Sequence, residues 1–211
     1  AYEIRNCDWS SDVCSSDLEF LVSPEADAHY FIECNPRIQV EHTVTEQVMG
    51  IDLVEAQLRI AAGATLSSLG LPDQKAAGVP KGYAVQARLV AQGTGTLSAY
   101  KEPSGAGVRV DAHGYVGYAP PGQYDPLLAK VIGTSSSAGT LDSALSRTAR
   151  ALDEFHLAGV PTNVAQLKAI IAHASVRGGD ARTTLLDEVP ALVAPPSSTA
   201  PAIELLEKAQ P

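Results

Sequence analysis

Between Glu33 and Glu41 the chain reads ECNPRIQVE, and every odd position carries a polar or charged group: Glu33, Asn35, Arg37, Gln39 and Glu41. The even positions, Cys34, Pro36, Ile38 and Val40, do not. In an extended chain alternate side chains point to opposite faces, so one face would carry two carboxylates, two amides and a guanidinium. Carboxylates are ligands for hard divalent cations, and a guanidinium is a forked donor for carboxylate-like anions. Kept straight, Glu33 and Glu41 would lie roughly 26 Å apart at ~3.3 Å per residue, too far for one small-molecule site. Pro36 has no N–H for a ladder, so the strand is expected to end there and the chain to curl. The plainer alternative is an edge strand with one solvated face.

A hairpin is needed to position the first of these groups. EFLV (19–22) is a short apolar strand led by a carboxylate, SPEAD (23–27) is a turn, and HYFIE (29–33) returns. The pairing sets Glu19 beside Glu33. Two carboxylates so placed repel, and Mg²⁺, which takes one or two carboxylates plus phosphate oxygens, relieves that. Cys34, on the apolar face, is expected to be a buried and inert thiol.

Downstream, GIDLVEAQLRIAAG predicts a supporting helix. Asp52 is its N-cap, Glu55 stands at capping-box spacing, Glu55 and Arg59 pair at i,i+4, and Gly63 fits C′. Ala64 to Lys81 is a connection. YAVQARLV (83–90) is a strand with Tyr83, Val85, Ala87 and Leu89 on one face and Gln86 and Arg88 on the other. Between Tyr100 and Ile132, Gly and Pro punctuate short β-branched runs, as in the hairpins of an antiparallel sheet. Asp125 and Lys130 are expected to make structural polar contacts. Leu141–Phe155 is an amphipathic helix with Leu141, Leu145, Ala149 and Leu152 at helical stride, and Thr162 or Asn163 caps a second helix. The tail APPSSTAPA is a linker, followed by a helix-like ELLEKAQ.

Composition narrows the classes. A chain of 211 residues suits one or two domains, and 45% apolar content supports a core. A net charge of −9 and a pI near 4.9 argue against a nucleic-acid-coating surface. No apolar run approaches the ~20 residues of a membrane span. Cys7, Cys14 and Cys34 form neither a disulfide framework nor a four-ligand zinc pattern, which fits a reducing cytoplasm. Residues 1–18 have no periodicity, and DWSSDVCSSDL (8–18) resembles a translated sequencing adapter; these residues are set aside from fold reasoning. A metal or redox site on Cys7 and Cys14 is the alternative, and a poor one without a nearby His.

The stretch ECNPRIQVEHTVTE (33–46) closely resembles the signature of biotin carboxylase, the ATP-grasp component of biotin-dependent carboxylases. Related ATP-grasp enzymes share Glu-x-Asn-Pro-Arg and then diverge. The resemblance runs from Glu19 to about Glu188. It implies an α+β fold: the C-terminal part of an ATP-grasp domain (19–80), then the biotin carboxylase C-terminal domain, an antiparallel sheet with helices (81–188), between a non-native leader (1–18) and a linker (189–211).

The activity implied is a ligation. Bicarbonate and ATP give carboxyphosphate, and the CO₂ it releases is captured by biotin on a carrier protein. The resemblance makes Glu19, Glu33 and Asn35 ligands of Mg²⁺ or Mn²⁺, and Leu21 a contact to adenine. Val160 matches a second adenine contact, with ordinary core packing the equal alternative. Glu41 matches the base that deprotonates bicarbonate, and Arg37 and Arg88 match the cations facing bicarbonate and the ureido group of biotin. Gln39 and the backbone of Val40 would hold bicarbonate. Arg88 lies in a family motif Ala-hydrophobic-(Glu or Gln)-x-Arg; just beyond it Gln92 stands where Glu is usual. A biotin carboxyl carrier domain and a carboxyltransferase domain are the implied partners. The family's glycine-rich lid and phosphate-binding lysines lie N-terminal to where the resemblance begins, so the chain alone is expected to be inactive. Arg109 aligns with a residue at the family's dimer interface, which allows a homo-oligomer, but Ala106 replaces a frequent bulky aromatic there. A non-catalytic docking domain of a multidomain carboxylase is the competing reading.

Overall fold

The computed structural model describes residues 17–23 and 27–193. β1 (Asp17–Ser23) and β2 (Ala28–Asn35) form the expected antiparallel hairpin, with a bulge between Glu19 and Phe20. β2 stops at Asn35, and the Arg37 N–H donates to the Asn35 carbonyl at 2.8 Å, so the chain curls over Pro36 as its missing donor requires. The hairpin's apolar side chains are exposed, Leu21 at 61% and Phe31 at 60%. Cys34 departs from expectation, because it is a free, exposed thiol rather than a buried one. Period-2 alternation fixes the face a side chain occupies, not whether another element covers that face.

α1 (His42–Met49) follows the signature directly and ends at Gly50, whose left-handed φ of 71° lets its N–H return to the Glu46 carbonyl. α2 (Leu53–Ala61) begins as expected, with the Asp52 carboxylate accepting from the Glu55 N–H at 2.7 Å. Glu55 and Arg59 pair at 3.5 Å on the solvent side. The connection to residue 81 holds a 3₁₀ turn at Ser67–Leu69 and a one-turn α3 (Gln74–Ala77).

A three-stranded antiparallel sheet is built from β3 (Ala84–Val90), β5 (Val108–Ala112) and β6 (Leu127–Thr134), ordered β3-β6-β5. The short β4 (Ala99–Lys101) does not join it and pairs instead with the distant β7 (His156–Ala158). Between them in sequence α4 (Leu141–Glu154) lies against β3 and β6. Thr140 and Ser143 cap it reciprocally. The residues α4 buries are Ala144, Leu145, Thr148, Ala151 and Leu152, so its packed face alternates small side chains with leucines. Gly133 of β6 is required there, since a Cβ would sit 2.6 Å from the Thr148 backbone nitrogen. α5 (Val164–Ala172), α6 (Ala174–Arg177) and α7 (Leu185–Glu188) complete the described chain, and the core gathers around Leu89, Leu97, Leu128, Val131 and Leu152.

Asn163 precedes α5 as expected, yet its side chain makes no cap bond. Leu192, within the region expected to be linker, is buried in a 3₁₀ turn at Pro190–Leu192. Of the leader, Asp17 and Leu18 begin β1. The remainder with Cys7 and Cys14, and the ELLEKAQ segment, lie outside the described residues. No described helix is long and apolar enough to cross a membrane.

Candidate active site

The hairpin register sets Glu19 opposite Glu33, and Asn35, two residues on, shares the face of Glu33. The Asn35 amide nitrogen donates to one carboxylate oxygen of each glutamate, both at 3.1 Å. A donor thus bridges two like charges, which is the electrostatic task of a cation. The two carboxylates are oxygen ligands that fit Mg²⁺, which binds through one or two carboxylates and keeps its remaining positions for waters and phosphate oxygens, and the Asn35 oxygen would join them only with its amide turned over. No group of three or more His, Cys, Asp and Glu suited to a metal occurs among the described residues.

Past the curl, the Arg37 guanidinium donates to the Gln39 side-chain oxygen at 2.9 Å. The Gln39 carbonyl lies 2.6 Å from His42 Nδ1 and also accepts from the His42 N–H, so Nδ1 carries the proton in this turn. The turn delivers Glu41 to the first position before α1. There its carboxylate meets Arg88 of β3, Nη2 to Oε2 at 2.7 Å, with each side chain about half exposed. A carboxylate and a guanidinium from separate elements therefore share one accessible spot beside the signature loop.

Beneath that pair α1 is docked on the sheet by polar side chains, one for each strand. The fully buried Thr43 donates its hydroxyl to Gln86 of β3 at 2.6 Å. Gln47 accepts from Thr134 of β6 at 3.1 Å. Glu46, only 6% exposed, takes Arg109 of β5 at 2.7 Å on one oxygen and the Leu53 N–H at 2.8 Å on the other. Arg109 also forks onto both oxygens of Asp111 at 2.7 and 3.0 Å, and Lys130 approaches Asp111 at 3.3 Å and the Val40 carbonyl at 3.5 Å. Burial pushes the Asp111 carboxyl up, but hydrogen bonds and charge from Arg109, joined by Lys130, outweigh it and hold the carboxyl below its usual range. The hydrogen bond to Asp111 raises the Arg109 guanidinium against the opposing effect of burial, and Glu46 adds to the rise.

Arg88 is fixed from behind by Asn163, whose side chain accepts from the Val90 N–H at 2.8 Å and donates to the Arg88 carbonyl at 3.0 Å. This is what replaces the expected helix cap. Asp125 accepts from the Leu127 N–H at 2.9 Å, a structural contact as expected, and Lys130 is likewise engaged. Arg109, expected at a surface between copies, is held within its own chain by Glu46 and Asp111. Leu21 is exposed on the hairpin, whereas Val160 is 8% exposed within the core cluster. Thr43, Glu46 and Gln47 are the site-building residues that sequence reasoning did not single out; Asn163 was expected only as a helix cap, and Gln86 only as part of the Ala-hydrophobic-Gln-x-Arg match.

Comparison with known proteins bears on this arrangement. Residues 86–188 match the family model for the biotin carboxylase C-terminal domain, and residues 4–69 match that for the carbamoyl-phosphate synthase L chain, ATP binding domain. Pyruvate carboxylase of Pichia angusta is 42% identical over 183 residues, which cover 82% of this chain and 15% of that protein. The biotin carboxylase domain of a single-chain bacterial carboxylase superimposes with a TM-score of 0.78 at 49% identity, over 85% of this chain and 42% of that one. The biotin carboxylase domain dimer of Hydrogenobacter thermophilus 2-oxoglutarate carboxylase, solved with MgADP, ADP and bicarbonate, gives 0.76 at 33% identity over 84% and 39%. The chain thus spans about 15% of the length of the curated relative it matches and less than half of the solved domains. The chain belongs to the biotin carboxylase family, as a part of that module.

Proposed function

We propose that this chain contributes part of a site where bicarbonate is activated with ATP and the resulting CO₂ is passed to biotin. The observation that carries the reading is the 2.7 Å contact between Glu41 and Arg88, which joins a base and a fixed cation at the mouth of the signature loop. Arg37, Gln39 and the backbone of Val40 hold bicarbonate. Glu41 takes its proton, and the freed oxygen attacks the γ-phosphorus of ATP while the bond to ADP breaks. Carboxyphosphate then splits into CO₂ and phosphate, the released phosphate takes the N1 proton of biotin, and N1 forms the new bond to carbon. Arg37 and Arg88 stabilise the negative charge that appears on the way. Glu19, Glu33 and Asn35 hold Mg²⁺ or Mn²⁺, which supplies charge neutralisation at the phosphates when bound. Leu21 contacts adenine, and Val160 supports that pocket from the core.

The ion pair suggests an order of events. A proton on Glu41 cancels its charge and with it the ionic attraction for Arg88, so accepting the bicarbonate proton frees the guanidinium for biotin. Residues 19–80 act as the ATP-grasp portion and 81–188 as the C-terminal domain, in a cytoplasmic protein that meets a biotin carboxyl carrier domain and a carboxyltransferase. Homo-oligomer formation is part of the same reading. The relatives act on different acceptors, pyruvate, 2-oxoglutarate and acyl-CoA by their names, and the acceptor here follows from the carboxyltransferase. In a complete module carrying these residues, bicarbonate-dependent ADP release should collapse on Glu41→Gln; undiminished release would refute the assignment.

A further inference from the structure

We infer that Thr43 and Gln86 form the joint that sets the spacing between Glu41 and Arg88, which makes Thr43 a positioning residue for the reaction; this inference rests on the roles just proposed for Glu41 and Arg88. Thr43 lies two residues after Glu41, and Gln86 two residues before Arg88 on the same face of β3. α1 and β3 therefore touch twice in register, once through an exposed ion pair and once through a hydrogen bond whose donor is fully buried.

These two contacts differ in what they can enforce. An ion pair with both partners half in water is worth little and tolerates many geometries. A buried hydroxyl has no water to turn to, so losing its partner is expensive and its geometry is narrow. At 2.6 Å the Thr43–Gln86 bond is short and direct. It follows that the ion pair does not align the helix with the strand; the buried bond does, and the pair inherits its distance. Gln47 to Thr134 and Glu46 to Arg109 hold the same helix further along and fix its rotation about that point. This joint lets Glu41 release Arg88 during turnover without either residue moving away.

The test uses Thr43→Val, which keeps the shape and removes the donor, and Thr43→Ser, which restores it. In the 211-residue chain, the Nε–Hε proton resonance of Arg88, assigned by its loss in Arg88→Lys, reports the pair and is moved by Glu41→Gln. Thr43→Val should move it in the same direction and Thr43→Ser should leave it in place. In a complete module, Thr43→Val should lower kcat for biotin carboxylation by about tenfold with the KM for ATP unchanged, and Thr43→Ser should restore it to within about twofold. If Thr43→Val fails to fold, Gln86→Met removes the acceptor and answers the same question. An Arg88 resonance unmoved by losing either partner overturns the inference. Should Glu41→Gln and Arg88→Ala prove harmless to turnover, the catalytic reading falls, while the resonance still decides whether the joint exists.

Discussion

Glu41 and Arg88 are separated by 47 positions in sequence and touch at 2.7 Å. One stands at the start of a helix and the other in a strand whose backbone is clamped by Asn163. Neither is buried, so the contact is open to solvent.

If Glu41 is the base and Arg37 an anion holder, Glu41→Gln and Arg37→Ala should each lower bicarbonate-dependent ATP cleavage by about 10²-fold in a complete module. Arg88→Ala should harm biotin carboxylation more than ATP cleavage. Equal losses in both assays would take Arg88 off the biotin side.

At the hairpin, Asn35 separates two carboxylates that would otherwise repel. Asn35→Leu, and Glu33→Gln more strongly, should weaken Mn²⁺ binding by about tenfold in the complete module, read by electron paramagnetic resonance. Unchanged Mn²⁺ affinity in Glu33→Gln would place the cation elsewhere.

Asp111 gives a pH prediction. Its folded pKa is depressed by Arg109 and Lys130 in spite of burial, so it stabilises the fold above the unfolded carboxylate value of about 3.9 and loses that contribution as pH falls through its lower folded value. Urea unfolding of the wild type and Asp111→Asn should therefore differ most at neutral pH and converge in acid. A constant difference down to the acid limit would show that the carboxylate's charge is not what matters.

The packing of α4 on the sheet yields a plain stability test. Leu152 is 1% exposed and Leu89 is 0%, both in the core cluster, so Leu152→Ala or Leu89→Ala should cost about 2–5 kcal/mol in denaturant unfolding. A loss below about 1 kcal/mol would mean the cavity collapses almost freely.

Patterned elements were legible from the chain. The Asp52 cap, the two faces of β3 and the Glu19–Glu33 pairing follow from local rules of spacing, and the structure has all three. Cys34 escaped because alternation reports orientation and not cover. Thr43 and Glu46, and the clamp that Asn163 puts on β3, escaped for a different reason. A small polar residue that satisfies a partner 43, 63 or 75 positions away leaves no periodic trace, and its meaning exists only once two elements meet. The Glu41–Arg88 pair became visible in sequence through resemblance to a family motif, since no spacing rule connects a helix start to a strand so far along the chain.

The docking of α1 bears on how this helix can vary over generations. Of its eight residues, Thr43, Glu46 and Gln47 are each committed to a different strand, while Glu41 just outside is committed to Arg88. An apolar helix face accepts many volume-conserving exchanges, but a face of matched donors and acceptors accepts a change on one side only with a reply on the other. Substitutions at these three helix positions should consequently travel in pairs with Gln86, Arg109 and Thr134, and the freedom of the segment to drift is confined to Val44, Thr45, Val48 and Met49.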